Sequence, residues 1–357
     1  MLGMSWPGLS IPGLSIPGLG GVGGFWRALS EIDPDAIAAQ AIEHVAIVIV
    51  GRPGVGKRTL RNALLQLDAV PPREAAASGA LMPIVEVRPN EKLEWLPGGH
   101  LYLHVVDGGR GIEPDEIVAG RELVARGLRV IHVVNKADQL GSPDAFRYTA
   151  GSAFDVVPGD HLALTVATDH GSLKRELIPK ISHILHDRVL ALARTFPGMR
   201  ESIAQQLVFD SARTNAQFAL LSSLPANVPI IGALTSVAAD SIILTKNQAM
   251  LLLKLAVVHG RPLDAKMQIA AEIMPIVGAA FLWRSIARSL IGLLPGILSA
   301  IPKAGVAFAG TYAIGETAHY YYRVGRRPDS AVLDRIAKEA VAMAKRSVGL
   351  LSGDKKP

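Results

Sequence analysis

Cysteine is absent from all 357 residues, which excludes disulfides, thiolate metal sites and cysteine nucleophiles. Aromatic residues are only 5% of the chain, so a nucleic-acid reader would have few rings on which to stack bases. No nucleic-acid module is recognisable, and no nucleic-acid partner is expected. The first basic residue is Arg27, so no charged segment precedes an apolar core and no secretory signal is expected. Charged residues make up 19% against 49% hydrophobic, and the mean hydropathy is +0.30. That balance points to membrane contact or heavy burial. The net charge of +6 suits an anionic lipid surface or nucleotide phosphates.

The N-terminus holds a five-residue tandem repeat, Trp6–Ser10, Ile11–Ser15 and Ile16–Gly20, each with a Pro-Gly-Leu centre. Proline every fifth residue removes backbone donors and fixes φ, so neither helix nor ladder propagates. Residues 1–32 are therefore expected to be a disordered tail. From residue 33 the pattern alternates between strand and helix. Strands are expected at Val45–Val50, Pro83–Arg88, Lys92–Leu96, Leu101–Asp107, Arg129–Val134 and His161–Val166. Helices are expected at Lys57–Leu67, Asp115–Arg126 and Leu173–Arg194. Continuous β-branched runs separated by helices predict a mostly parallel sheet covered on both faces, over residues 33–196. After Pro197 strand patterns stop, and apolar helical stretches follow, broken at Pro225, Pro229, Pro262, Pro275, Pro295 and Pro302. This all-α region is expected to run from 197 to 327, with a basic helix and tail over 328–357.

Two loops carry the chemistry. Gly51-Arg52-Pro53-Gly54-Val55-Gly56-Lys57-Arg58-Thr59 follows the first strand and opens a helix. Its glycines let backbone N–H groups converge on phosphate oxygens at a helix N-terminus, and Lys57 is placed to reach the β- and γ-phosphates. Asn135-Lys136-Ala137-Asp138 ends a later strand and has the form of a guanine-reading loop. Asp138 would accept from the guanine ring N–H and exocyclic amine, which adenine lacks, while Lys136 would lie along the ring. Thr165-Val166-Ala167-Thr168 also follows a strand, where a backbone N–H could meet the guanine oxygen. The order of these loops, each at a strand end, points to a GTP or GDP site.

These motifs resemble those of the translation-factor-like (Era-type) small GTPases, whose fold is an α/β P-loop NTPase. The following region resembles the hydrophobic helical domain of the YcjF type. That likeness rests on Pro229–Gly232, Ala239-Asp240, Leu244–Gln248, Leu255-Ala256, His259-Gly260, Phe281–Arg284 and Gly310–Tyr312. Together the resemblances cover residues 44–327. Such GTPases carry Ser or Thr after the loop lysine to ligate Mg²⁺, and this chain has Arg58. Thr59 cannot substitute, because one residue along a helix turns a side chain by about 100°. Arg58 is a donor only and cannot bind a metal. The Asp-x-x-Gly switch aligns with Trp95-Leu96-Pro97-Gly98, so Trp95 stands where an acid is expected. Asp107-Gly108-Gly109-Arg110 lacks the final glycine and sits in the setting of the later, non-catalytic strand. No threonine occurs between Thr59 and Thr149. The metal contacts are thus missing together, and hydrolysis is expected to be weak or absent.

The apolar half lacks a clean span of about 20 residues. Thr214–Ala239 is uncharged but contains Pro225, Asn227 and Pro229. Ile273–Trp283, Ser289–Pro302 and Ala304–Gly315 are bounded by Arg284, Arg288, Lys303 and Glu316. Asp240, Glu272 and Glu316 could pair with Lys254, Arg284 or Arg288. Gly305, Ala309 and Ala313 form a small-residue ridge. Tyr320-Tyr321-Tyr322-Arg323 with Arg326-Arg327 resembles an interfacial belt beside positive charge. The expectation is a nucleotide-dependent regulator or scaffold at the cytoplasmic face of a membrane, in contact with it through residues 214–322. The rivals are a working GTPase with an atypical metal arrangement and a nucleotide-free interaction protein.

Overall fold

The computed structural model describes residues 27–66, 82–88, 95–157, 159–221, 237–261, 269 and 300–351. Among these, residues 36–205 with 257–261 form one compact unit, and 27–35, 206–256, 269 and 300–351 form another.

The first unit opens with helix α1 (Pro34–Ile42) and strand β1 (Ile47–Gly51), then α2 (Lys57–Leu65) and the short β2 (Ile84–Glu86). β3 (Leu101–Asp107), α3 (Pro114–Ala125), β4 (Val130–Asn135), α4 (Pro143–Phe154) and β5 (Leu162–Leu164) complete the alternation. The five strands are all parallel in the order β2-β1-β3-β4-β5. This is an α/β fold with β1 inside the sheet. The chain leaves β1 to one side for β2 and returns on the other side for β3. In open sheets that reversal places the ligand crevice at the carboxyl ends of the strands.

Burial explains why these runs are strands. Every residue of β1, β3 and β4 is buried, as expected of a sheet covered on both faces. Val48, Val50, Tyr102 and Val130 pack with Ala119 and Leu123 of α3, while Val106 and Val134 pack with Ala150 and Phe154 of α4. The helix starts are equally local. Pro114 follows Glu113, which closes a capping box as its backbone N–H donates to Glu116 Oε2 at 2.9 Å. Pro143 opens α4, which the sequence reading did not anticipate.

Two expectations are revised. Trp95–Gly99 forms no strand, and Trp95 is three-quarters exposed; residues 92–94 lie outside the described residues. The helix expected over Leu173–Arg194 is a succession of a π-helical turn (Leu173–Leu177), α5 (Ile178–Ile184), a 3₁₀ turn (His186–Arg188) and α6 (Val189–Thr195). Pro179 lacks the N–H that would continue the ladder, and α5 begins around it. The next turn, Pro197–Met199, lies against the end of α2. A Cβ on Gly198 would stand 2.1 Å from the Ala63 carbonyl oxygen and 2.6 Å from that of Leu64.

The second unit is helical: α7 (Arg200–Leu221, whose first residues belong to the α/β unit), α8 (Val237–Val258), α9 (Ala300–Val324) and α10 (Ser330–Leu351). Residues 27–32, read above as the end of the tail, also lie in this unit. Ala28, Leu29 and Ile32 are buried, and Glu31 pairs with Lys246 at 3.5 Å. Pro302 does not break a helix: it sits in the first turn of α9, where a missing N–H costs little. Of the small-residue ridge, Ala309 and Ala313 are fully buried, but among the described residues nothing lies within 4 Å of a Cβ at Gly305. The close approach is at Gly315, where a Cβ would stand 2.7 Å from Val208.

Among the described residues no helix is long and apolar enough to cross a membrane. The repeat at 6–20, residues 222–236, and Glu272, Ile273–Trp283, Arg284, Arg288 and Ser289–Ser299 lie outside the described residues. The side chain of Asp240 does too.

Candidate nucleotide site

The loop after β1 is built by its glycines. Gly54 and Gly56 have φ of 82° and 94°, in the left-handed region that glycine enters without strain. Gly56 also has no room for a side chain, since a Cβ would lie 2.2 Å from Asn135 Nδ2. The ladder of α2 starts with the Leu60 N–H on the Gly56 oxygen at 3.0 Å, and no side chain caps this helix. The N–H groups before Leu60 are those a helix leaves for an external acceptor, at the end whose dipole favours an anion.

Lys57 is 4% exposed, folded back so that Nζ donates to the Arg52 oxygen at 2.6 Å and lies 3.6 Å from Glu86 Oε1. Burial pushes its pKa down, and the Glu86 carboxylate offsets part of that. Glu86 is paired in register with Gly51 at the end of β2, the strand flanking β1. The acid beside the loop lysine is therefore Glu86, which the sequence reading missed. The expected strand Pro83–Arg88 contained it, but no local pattern marks which strand ends meet in the sheet. Arg58 and Thr59 are exposed on the first turn of α2, while Leu60 and Leu64 on its other face are buried. Arg52 pairs with Asp115 at 3.4 Å, tying this loop to the first turn of α3.

Asn135 is the centre of the arrangement. At 3% exposure its Nδ2 donates to the Val55 oxygen at 2.8 Å, and its Oδ1 accepts from the Ala167 N–H at 2.9 Å. One side chain thus joins the loop after β1, the loop after β4 and the loop after β5. Thr165 extends the last junction: its N–H bonds the Val134 oxygen at 2.8 Å, and its hydroxyl lies 3.1 Å from that of Ser172. Val166 N–H donates to the same Ser172 oxygen at 3.0 Å.

Lys136 adopts a left-handed φ of 60°, and its Nζ bonds Asp107 Oδ2 at 2.5 Å. Burial of Asp107 works against its charge. The Lys136 ammonium and the N–H groups of Arg110 and Gly109 outweigh it and hold the carboxyl below the usual range. Asp107 is thus a brace for the Lys136 loop. Asp138 and Thr168 are exposed at the rim, and Ala167 is buried below Thr168. Gly51, Gly54, Val55, Gly56 and Lys57 therefore share one sheet edge with Asn135, Lys136, Asp138, Ala167 and Thr168.

Among the described residues no group of three or more His, Cys, Asp or Glu converges. Glu86, the carboxylate next to the loop, is engaged with an ammonium.

Away from this edge lies a feature no sequence motif signals. His104 and His132 are register partners in β3 and β4, with their Nδ1 atoms 3.1 Å apart. His132 stacks on Phe154 with ring centroids 4.1 Å apart. Burial lowers His104 to about 4 and His132 to about 3, so both are neutral at physiological pH.

No protein-family model matches the chain, and neither a curated protein nor a solved structure matches it.

Proposed function

We propose that the α/β unit is a P-loop GTPase-type domain that binds GTP or GDP at the carboxyl edge of its sheet. On this reading the protein is a nucleotide-dependent regulator or scaffold at the cytoplasmic face of a membrane. The observation that carries the nucleotide reading is Asn135, whose amide joins the glycine loop to the two loops assigned to the base. A polar turn with no ligand needs no such junction. In this assignment the N–H groups of the glycine loop and Lys57 take the phosphates, with Arg58 beside them on the same helical turn. Asp138 accepts from the base, and the Ala167–Thr168 backbone faces the guanine oxygen. Lys57 exchanges its Arg52 carbonyl for a phosphate oxygen, so binding costs the loop little rearrangement.

Phosphoryl transfer needs charge neutralisation that these residues supply only in part. The proposal is therefore binding with slow or no turnover. Glu86 favours the second reading, a working GTPase, because it places a carboxylate beside the loop lysine.

The test is titration of the full chain with fluorescent GTP, GDP and ATP, with and without Mg²⁺, followed by phosphate release. Micromolar binding of both guanine nucleotides, indifferent to Mg²⁺ and lost in Lys57→Ala, is the expected result. Mg²⁺-dependent binding with turnover that Glu86→Gln removes would establish the working enzyme. Absence of binding would leave only an interaction protein.

A further inference from the structure

The last two described helices form a hairpin whose outer face is cationic. α10 is sharply amphipathic. Leu333, Ile336, Ala337, Ala340, Val341, Ala344 and Ser347 are buried on one side, while Arg335, Lys338, Glu339, Ala342, Lys345 and Arg346 are exposed on the other. At about 100° per residue the exposed cations fall within one arc of roughly 100°, and they extend along about 16 Å of the helix. The turn from α9 adds Arg326 and Arg327, both exposed.

Three acids on the hairpin have partners. Asp329 accepts from the Val332 N–H at 2.9 Å, Asp334 is 2.8 Å from Lys338, and Glu339 accepts from the Tyr312 hydroxyl at 3.1 Å. Arg326, Arg327, Arg335, Lys345 and Arg346 take part in no ion pair among the described residues. The hairpin thus keeps five cations outside any ion pair among the described residues, three on the exposed face of α10 and two at its turn, and that surface suits an anion. Beside the turn, Val324 is 40% exposed and Tyr320, Tyr321 and Tyr322 are part-exposed. Tyrosines next to clustered arginines suit the headgroup level of a bilayer, where rings sit at the interface and cations meet phosphate. A straight row of cations meets a planar anionic surface along its whole length.

We infer that the α9–α10 hairpin docks on an anionic phospholipid surface through Arg326, Arg327, Arg335, Lys345 and Arg346. This rests on the membrane reading above and assigns it a residue set. The contact is electrostatic and peripheral, separate from insertion of any apolar segment. Each cation near such a leaflet strengthens binding about fivefold, and the attraction is screened within a Debye length.

The test is co-sedimentation of the full chain with vesicles of phosphatidylcholine alone and with 30 mol% phosphatidylserine, at 0.1 M and 0.5 M salt. Arg335→Gln/Lys345→Gln/Arg346→Gln is compared with Arg326→Gln/Arg327→Gln, and unchanged thermal midpoints verify folding. The expected result is a preference for phosphatidylserine that falls at least tenfold at high salt. The triple variant should lose about a hundredfold, and the double variant about twenty-fivefold. Equal, salt-insensitive binding to both vesicles, unchanged in the variants, would overturn this inference while leaving membrane association standing. No binding to either vesicle would overturn both. Tighter retention by single-stranded RNA than by phosphatidylserine vesicles would assign the face to nucleic acid instead.

Discussion

In the α/β unit the buried polar side chains that hold loops sit at strand ends, whereas in the helical unit they sit in mid-helix and hold one another. Asn135 bonds two backbone groups from loops far from it in sequence. In the helical unit, Asn215 Nδ2 of α7 and Gln248 Nε2 of α8 both donate to Thr311 Oγ1 of α9, at 2.8 and 3.1 Å. Asn247 Nδ2 closes the group on Asn215 Oδ1 at 2.8 Å. The difference follows from the backbone. Loops at a sheet edge leave peptide groups in need of partners, so a side chain can knit them. Helices satisfy their own peptide groups, so Asn215, Asn247, Gln248 and Thr311 bond chiefly one another and thereby select which faces meet, with Asn215 Nδ2 also 3.5 Å from the Leu244 oxygen. Polar burial joins loops at a sheet edge in one unit and specifies packing in the other.

The sharpest way to break that contrast is Asn135→Ala. It strips partners from the Val55 carbonyl and the Ala167 N–H together, and should cost roughly 3–4 kcal/mol by urea denaturation. Guanine-nucleotide binding should vanish with it. Lys57→Ala should abolish binding with far less loss of stability. A buried polar pair that knits no loop gives the next effect. His104 and His132 are neutral in the folded protein, whereas the unfolded chain takes up protons near pH 6.5. Stability present above pH 6.5 is therefore lost as the pH falls towards about 4, by about 3 kcal/mol for His104 alone. A urea midpoint series should show this slope, and His104→Leu/His132→Leu should flatten it. In the helical unit Thr311→Val keeps the shape but orphans two amide donors. The expected loss is about 2 kcal/mol with nucleotide affinity unchanged. Equal loss of nucleotide binding there would erase the contrast. The smallest effect is that of Glu86→Gln, within about 1 kcal/mol, because the Glu86 carboxylate is half-exposed and screened by water, and Lys57 keeps its bond to the Arg52 oxygen.

Sequence carried β3 and β4 almost to the residue, since continuous β-branched runs leave little doubt between strand and helix. It also placed the glycine loop and the Asn135 loop at strand ends, because each directly follows a continuous apolar run. What escaped it depends on register or on distant contacts. That His104 faces His132 follows from how β3 and β4 pair, and that Lys136 turns to Asp107 follows from two adjacent strand ends. Glu86 lay inside the expected strand Pro83–Arg88, but its meeting with Lys57 follows from the register of β2 on β1. The turn at residues 27–30 was lost because Ala28, Leu29 and Ile32 become a core only against helices hundreds of residues away.

Helix α2 is held at both ends. Its first turn abuts Asn135 through Gly56, and its last carbonyls abut the backbone of Gly198. Nine residues at about 1.5 Å each make it a spacer of fixed length, near 13 Å, between two surfaces that do not yield. A point substitution on its exposed face changes only a side chain. One residue inserted or deleted would instead turn Leu60 or Leu64 by about 100° out of the core and shift one end into a backbone wall. The stretch from Lys57 to Leu65 should therefore be the segment of this chain least tolerant of a change in length, however freely Arg58 and Thr59 vary in kind.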